Sequence, residues 1–134
     1  MKKIVFVTIA VLALCLGGCK EEKVTTQYTI GCLGYQTGSP DNSNWGEAVN
    51  QYFQSHVDYN KIVEFEGKSS AENDAQAVKY FDEQMAKIDT AYVCSMFSGS
   101  DYFIYGIATL YASGNYRFVK ALKFQEGGAV EVTE

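Results

Sequence analysis

Tyr102-Phe103-Ile104-Tyr105-Gly106-Ile107-Ala108-Thr109-Leu110-Tyr111 is the stretch on which the fold turns. In an extended chain, successive side chains point to opposite faces. One face then carries Tyr102, Ile104, Gly106, Ala108 and Leu110, the other Phe103, Tyr105, Ile107, Thr109 and Tyr111. Neither is polar, which marks a strand covered on both sides. The following run, 116–125, sets Tyr116, Phe118, Leu122 and Phe124 against Val119 and Ala121, with Lys120 on the aromatic face and Arg117 and Lys123 on the small one. The small face is expected to receive helices. The aromatic face, with Phe103, Tyr105, Tyr111, Tyr116 and Phe118, is expected to meet a second copy, a partner protein or an apolar ligand. The alternative is a central strand buried on both sides by its own chain.

Outward from this stretch, the turns Ser98-Gly99-Ser100-Asp101 and Ser113-Gly114-Asn115 separate alternating runs at 91–97, 102–112 and 116–125, a pattern that predicts three hairpin-linked strands. Residues 27–35 and 60–66 read as earlier strands. Between them Trp45, Ala48, Val49, Tyr52, Phe53 and Val57 recur at helical spacing, with Asn44 and Glu47 as a capping box. A second helix starts at Ser69, which Glu72 completes as a cap, and its buried stripe is expected at Ala71, Ala75, Val78, Phe81, Met85 and Ile88. The order β-α-β-α-β-β-β predicts an α+β fold: a two-layer sandwich whose mixed sheet of about five strands carries two helices on one face. The domain is expected over 27–126, and Gly127-Gly128 is expected to open a loose tail over 127–134.

The amino terminus has a different logic. Lys2 and Lys3 precede an apolar run from Ile4 to Leu16 that is too short to span a bilayer, and Gly17-Gly18-Cys19 closes it. Leu16-Gly17-Gly18-Cys19 resembles the lipobox of bacterial lipoprotein precursors. That resemblance implies a signal peptide at 1–18, diacylglycerol on the Cys19 thiol, and a lipidated tether over 19–26. The chain would then be held on a membrane by its lipid, each buried methylene contributing about 0.8 kcal/mol. Lys20-Glu21-Glu22 is similar to the acidic export signals of some Gram-negative lipoproteins, which implies the outer membrane, facing the periplasm or the cell surface. A solvated linker explains the same residues.

Composition narrows the partners. The chain of 134 residues has 11 Lys and Arg against 16 Asp and Glu, a net charge of −5, and loss of Lys2 and Lys3 makes it more acidic. Such a balance excludes nucleic acid and disfavours anionic lipid head groups. With Arg117 the sole arginine, a phosphate-clamping cluster is excluded. Cys32 and Cys94 are candidates for a disulfide or for two separate buried thiols. Two distant cysteines make no zinc site, so no metal and no cofactor are expected.

Catalytic motifs are sparse. His56, the one histidine, falls at a helix end, where it complements the dipole without an orienting partner. Asp41-Asn42-Ser43-Asn44 with Glu47 fails the spacing of a calcium loop. Glu64 and Glu66 share a strand face, an arrangement better explained as charge guarding a sheet edge than as a glycosidase pair. The expectation is a non-catalytic binding or assembly module of the cell envelope, contacting an envelope protein or a second copy. The alternatives are a binder of a small apolar or glycan ligand lined by Tyr105, Tyr111 and Phe118, and thirdly a small enzyme using His56.

Overall fold

The computed structural model of the chain describes residues 22–38, 45–111 and 114–133. The expectations for residues 1–21, with the signal, Cys19 and the start of the tether, lie outside the described residues, as do those for 39–44 with its Asn44 cap.

Among the described residues five strands form a single sheet: β1 (Val24–Gln36), β2 (Lys61–Gly67), β3 (Tyr102–Thr109), β4 (Phe118–Gln125) and β5 (Gly128–Glu131). Among the described residues there are three helices, α1 (Trp45–His56), α2 (Ser70–Met85) and α3 (Thr90–Cys94). The fold is α+β, and the strand order is β2-β1-β3-β4-β5. Every pairing is antiparallel, where a mixed sheet was expected. The reason lies in the long connection from β2 through α2 and α3 to β3. It passes over β1, so the two strands it joins run in the same direction but are not neighbours.

The expected stripe on α1 is observed where it matters, with Trp45, Val49 and Phe53 buried and Val57 following. Phe53 is the hub of the core. Its ring centroid lies 5.2 Å from that of Phe103, 4.9 Å from Tyr105 and 5.6 Å from Phe124. On α2, Ser69 caps as expected, its hydroxyl accepting from the Glu72 amide at 3.1 Å. The buried side of α2 is rotated from the apolar stripe and runs through Asn73, Ala77, Phe81 and Gln84. The two amides are buried because they hold distant backbone. Asn73 Nδ2 donates to the Val24 carbonyl at 2.8 Å and to Thr26 Oγ1 at 2.8 Å. Gln84 Oε1 accepts from the Asp58 amide at 2.8 Å.

Four further expectations are corrected. Residues 91–97 are not a strand: Asp89 caps α3 by accepting from the Tyr92 amide at 3.1 Å, Val93 and Cys94 are its buried residues, and Phe97 is buried just past its end. A short apolar run suits either period, and a cap decided it. The tether is shorter than 19–26, because β1 begins at Val24 and pairs it with Gly67. Gly127-Gly128 does not end the sheet. Gly127, at φ +95°, turns the chain back so that β5 pairs with β4, where a loose tail was expected.

The fourth concerns the faces of β3. All three helices pack on the face of Phe103, Tyr105 and Ile107, the face expected to be free for a partner. Phe103 is 2% exposed and Tyr105 fully buried, so neither lies on an exposed sheet face. Large side chains fill the space between sheet and helices. The small side of the strand allows close approach of neighbouring strands: a Cβ on Gly106 would stand 2.5 Å from Ala121 Cβ and 2.7 Å from the Lys120 carbonyl.

Candidate functional site

Two features of the surface could serve binding. The first is the sheet face away from the helices. Alternation places Ile62, Glu64 and Glu66 of β2 there, because Val63 and Phe65 pack into the core. β3 contributes Tyr102, Ile104, Gly106 and Ala108, and β4 contributes Phe118, Ala121, Lys123 and Gln125. Among the described residues no helix lies on this side. Ile62 on the β2 edge is 59% exposed, Tyr116 before β4 55%, Val130 on the opposite β5 edge 48% and Leu110 after β3 38%. Tyr116 and Phe118 stack in parallel at 5.6 Å, and Lys123 Nζ sits 4.6 Å from the Tyr102 ring centroid. Gln27 donates to Glu64 at 3.2 Å along the β2 side.

The second feature is a cleft of about 490 Å³ at one end of the domain. It exists because β1 outruns β2. The pairing of β1 with β2 stops at Ile30 and Lys61, while β1 continues to Gln36. The chain reverses at Asn60, whose left-handed backbone (φ 52°) sits directly over Gly31. The exposed end of β1 therefore faces α1 across a gap. Cys32, Tyr35 and Thr37 line one side, Trp45, Asn50 and Gln54 the other, with Tyr59 and Asn60 across one end.

The wall at 57–60 is tied at several points. Asp58 receives the Tyr80 hydroxyl on its carboxylate, the Tyr105 hydroxyl on its carbonyl at 2.7 Å, and pairs with Lys61 at 3.7 Å. The Tyr59 ring is nearly parallel to that of Tyr105, at 6.2 Å, and its hydroxyl donates to Asn50 Oδ1. The Cys32 thiol donates to the Gly34 carbonyl at 3.6 Å. Burial pushes that thiol's pKa up, which keeps it protonated at neutral pH. Burial first, and the adjacent thiol second, push the Tyr59 hydroxyl above the ordinary phenol range.

The remaining candidates separate. Tyr111 is exposed beside Arg117, on the helix side of the strand, and the bonds from Thr109 and Arg117 lower its pKa. Tyr116 and Phe118 lie on the helix-free face. Cys32 and Cys94 are both free thiols, one in the cleft and one on α3 beside the β4–β5 turn, with no disulfide between them. His56 is exposed at the end of α1, stacked on Tyr52 at 4.1 Å, with Nδ1 2.8 Å from the Tyr52 carbonyl. Among the described residues, no three His, Cys, Asp or Glu side chains converge as metal ligands, and no helix is long and apolar enough to cross a membrane.

The cleft residues Asn50, Gln54 and Asn60 escaped the sequence reading, since isolated amides look like ordinary surface. One signal was available: α1 carries Glu47 as its single acidic residue, an unusual neutrality in so acidic a chain. Comparison with protein-family models, with curated proteins and with solved structures returns no match.

Proposed function

We propose that this is a lipid-anchored protein of the bacterial cell envelope, resident at the outer membrane, which acts without catalysis by binding a protein through the helix-free face of its sheet. The observation that carries the reading is the exposure of Ile62, Tyr116 and Val130 together on that one face. Exposed large apolar side chains spread across one sheet face of a small domain favour an interaction site there. Tyrosine suits such a surface, since it offers area with a polar tip. The Leu16-Gly17-Gly18-Cys19 sequence supports the anchor, and a short stretch between Cys19 and Val24 keeps the domain near its membrane. The partner is another envelope protein or a second copy of this chain.

A photo-crosslinking residue in place of Ile62, in the full chain expressed in its own cells, tests the surface. The expected result is an adduct of discrete mass, absent when the same residue replaces Lys79 on the outer side of α2. Equal labelling at both positions, or none at Ile62, Tyr116 and Val130, overturns it. Mass spectrometry of the same material reads the anchor: an unmodified Cys19, or a retained Met1, removes it.

A further inference from the structure

We infer that the cleft between the end of β1 and α1 is a binding site for a neutral saccharide, independent of the sheet face. Its volume of about 490 Å³ falls in the range of small-molecule sites. Charge decides the ligand class. Charged residues make up 20% of the chain, yet none of the eleven described residues lining the cleft is charged. Among the described lining residues a phosphate, a carboxylate or an ammonium group would find no counter-charge to offset its lost hydration. These walls therefore favour an uncharged ligand.

Polarity narrows it further. Asn50, Gln54 and Asn60 bring three amides, each able to donate and to accept, and Thr37 adds a hydroxyl. A purely apolar ligand would desolvate these groups without replacing their hydrogen bonds. A polyhydroxylated ring answers both capacities at once. Its apolar C–H faces also match the aromatic surface on offer: Tyr35 is 68% exposed at the rim, and Tyr59 is half-buried at the end. The site is also preformed. The Tyr59 hydroxyl fixes Asn50, and the loop that carries Tyr59 and Asn60 is fastened to Tyr105, Tyr80 and Gln84 through Asp58. A rigid wall lowers the ordering cost of binding.

Trp45, the chain's sole tryptophan, lines the cleft and supplies a reporter. Its emission would be followed in the detergent-solubilised full chain during titration with maltotriose, cellotriose and chitotriose. Glucose 6-phosphate serves as the charged control and N-phenyl-1-naphthylamine as the neutral apolar one. The expected result is a saturable change with at least one trisaccharide and none with the phosphate. Tyr35→Ala and Gln54→Ala, both at exposed side chains, should each weaken that binding at least about tenfold with unchanged circular dichroism. No saturable response to any of the three up to 10 mM overturns the inference. So does binding that both variants leave intact, or a cleft that takes the apolar probe in preference.

Discussion

The hydroxyl of Tyr105 donates to the main-chain carbonyl of Asp58 across 2.7 Å, joining the central strand to the loop that ends the cleft. Tyr105 is fully buried, so water cannot replace this bond. Tyr105→Phe keeps the ring contacts with Phe53 and Phe81 and removes the donor alone. The expected cost is about 1–2 kcal/mol, that of a buried acceptor left unpaired, read from urea unfolding. A variant as stable as the parent would show that Gln84, Tyr80 and Lys61 hold Asp58 by themselves.

The same tyrosines set an alkaline limit. Burial is the leading cause that raises Tyr28, Tyr59, Tyr80 and Tyr105 above their ordinary value of 10.0. Next come the carboxylate of Asp74 for Tyr28 and that of Asp58 for Tyr80. In the unfolded chain these phenols ionise near pH 10. Their contribution is thus fully present below about pH 10 and is lost as pH rises beyond it, where the unfolded state binds fewer protons. Absorbance at 295 nm and circular dichroism should change together above pH 10. All tyrosines ionising in one simple step near 10, with the fold intact, would contradict this.

Gly106 meets its neighbour strand with no room for a methyl group. The added Cβ would lie 2.5 Å from Ala121 Cβ and 2.8 Å from Ala121 Cα, next to backbone that the sheet holds in register. Gly106→Ala should cost about 1–3 kcal/mol by overpacking. Ala121→Gly in the same chain should restore only part of it, because the Lys120 carbonyl at 2.7 Å remains. Thermal unfolding of the single and double variants measures both statements. Full rescue would assign the whole clash to the Ala121 methyl.

These contacts mark what the sequence could and could not disclose. The α1 stripe was legible because Trp45, Val49 and Phe53 are large, apolar and spaced for one helical face. Ser69 was legible because a cap is local. The side of β3 that receives the helices was not, since both of its faces are apolar and only packing volume separates them. Burial of Asn73 and Gln84 was hidden for another reason. Their partners are backbone groups at Val24 and Asp58, more than twenty residues away, and composition carries no trace of such pairings. The cleft depends on β1 outrunning β2, a difference in length that only the register displays.

Asp74 joins two partners of unequal worth. Its Oδ1 accepts from the buried Tyr28 hydroxyl at 2.7 Å and its Oδ2 from Arg117 at 2.9 Å. The arginine side chain is half exposed, and such surface pairs contribute less than about 1 kcal/mol. Arg117→Ala should therefore fall within that bound. Asp74→Ala, which also removes the acceptor of the buried Tyr28 hydroxyl, should cost about 1–3 kcal/mol. Equal losses in urea unfolding would place the weight on the ion pair instead.

Asn73 offers a test with a pH signature. It is fully buried, and its Nδ2 donates to two acceptors, the Val24 carbonyl and Thr26 Oγ1, while its Oδ1 has no hydrogen-bond partner among the described residues. Asn73→Asp would point a carboxylate oxygen at those acceptors. Burial and the facing oxygens both disfavour the charged form, so the folded-state pKa of the new acid should rise above the unfolded value near 4. A group raised in this way favours folding at low pH, and the loss grows as pH climbs from about 4. The variant should be about 3 kcal/mol less stable than the parent at pH 7, the scale of an uncompensated buried charge, and closer to it at pH 4.5. Urea titrations of both proteins at the two pH values supply the comparison. A deficit that does not depend on pH would mean that the carboxylate has turned out to solvent and that β1 has let go of α2 at Val24.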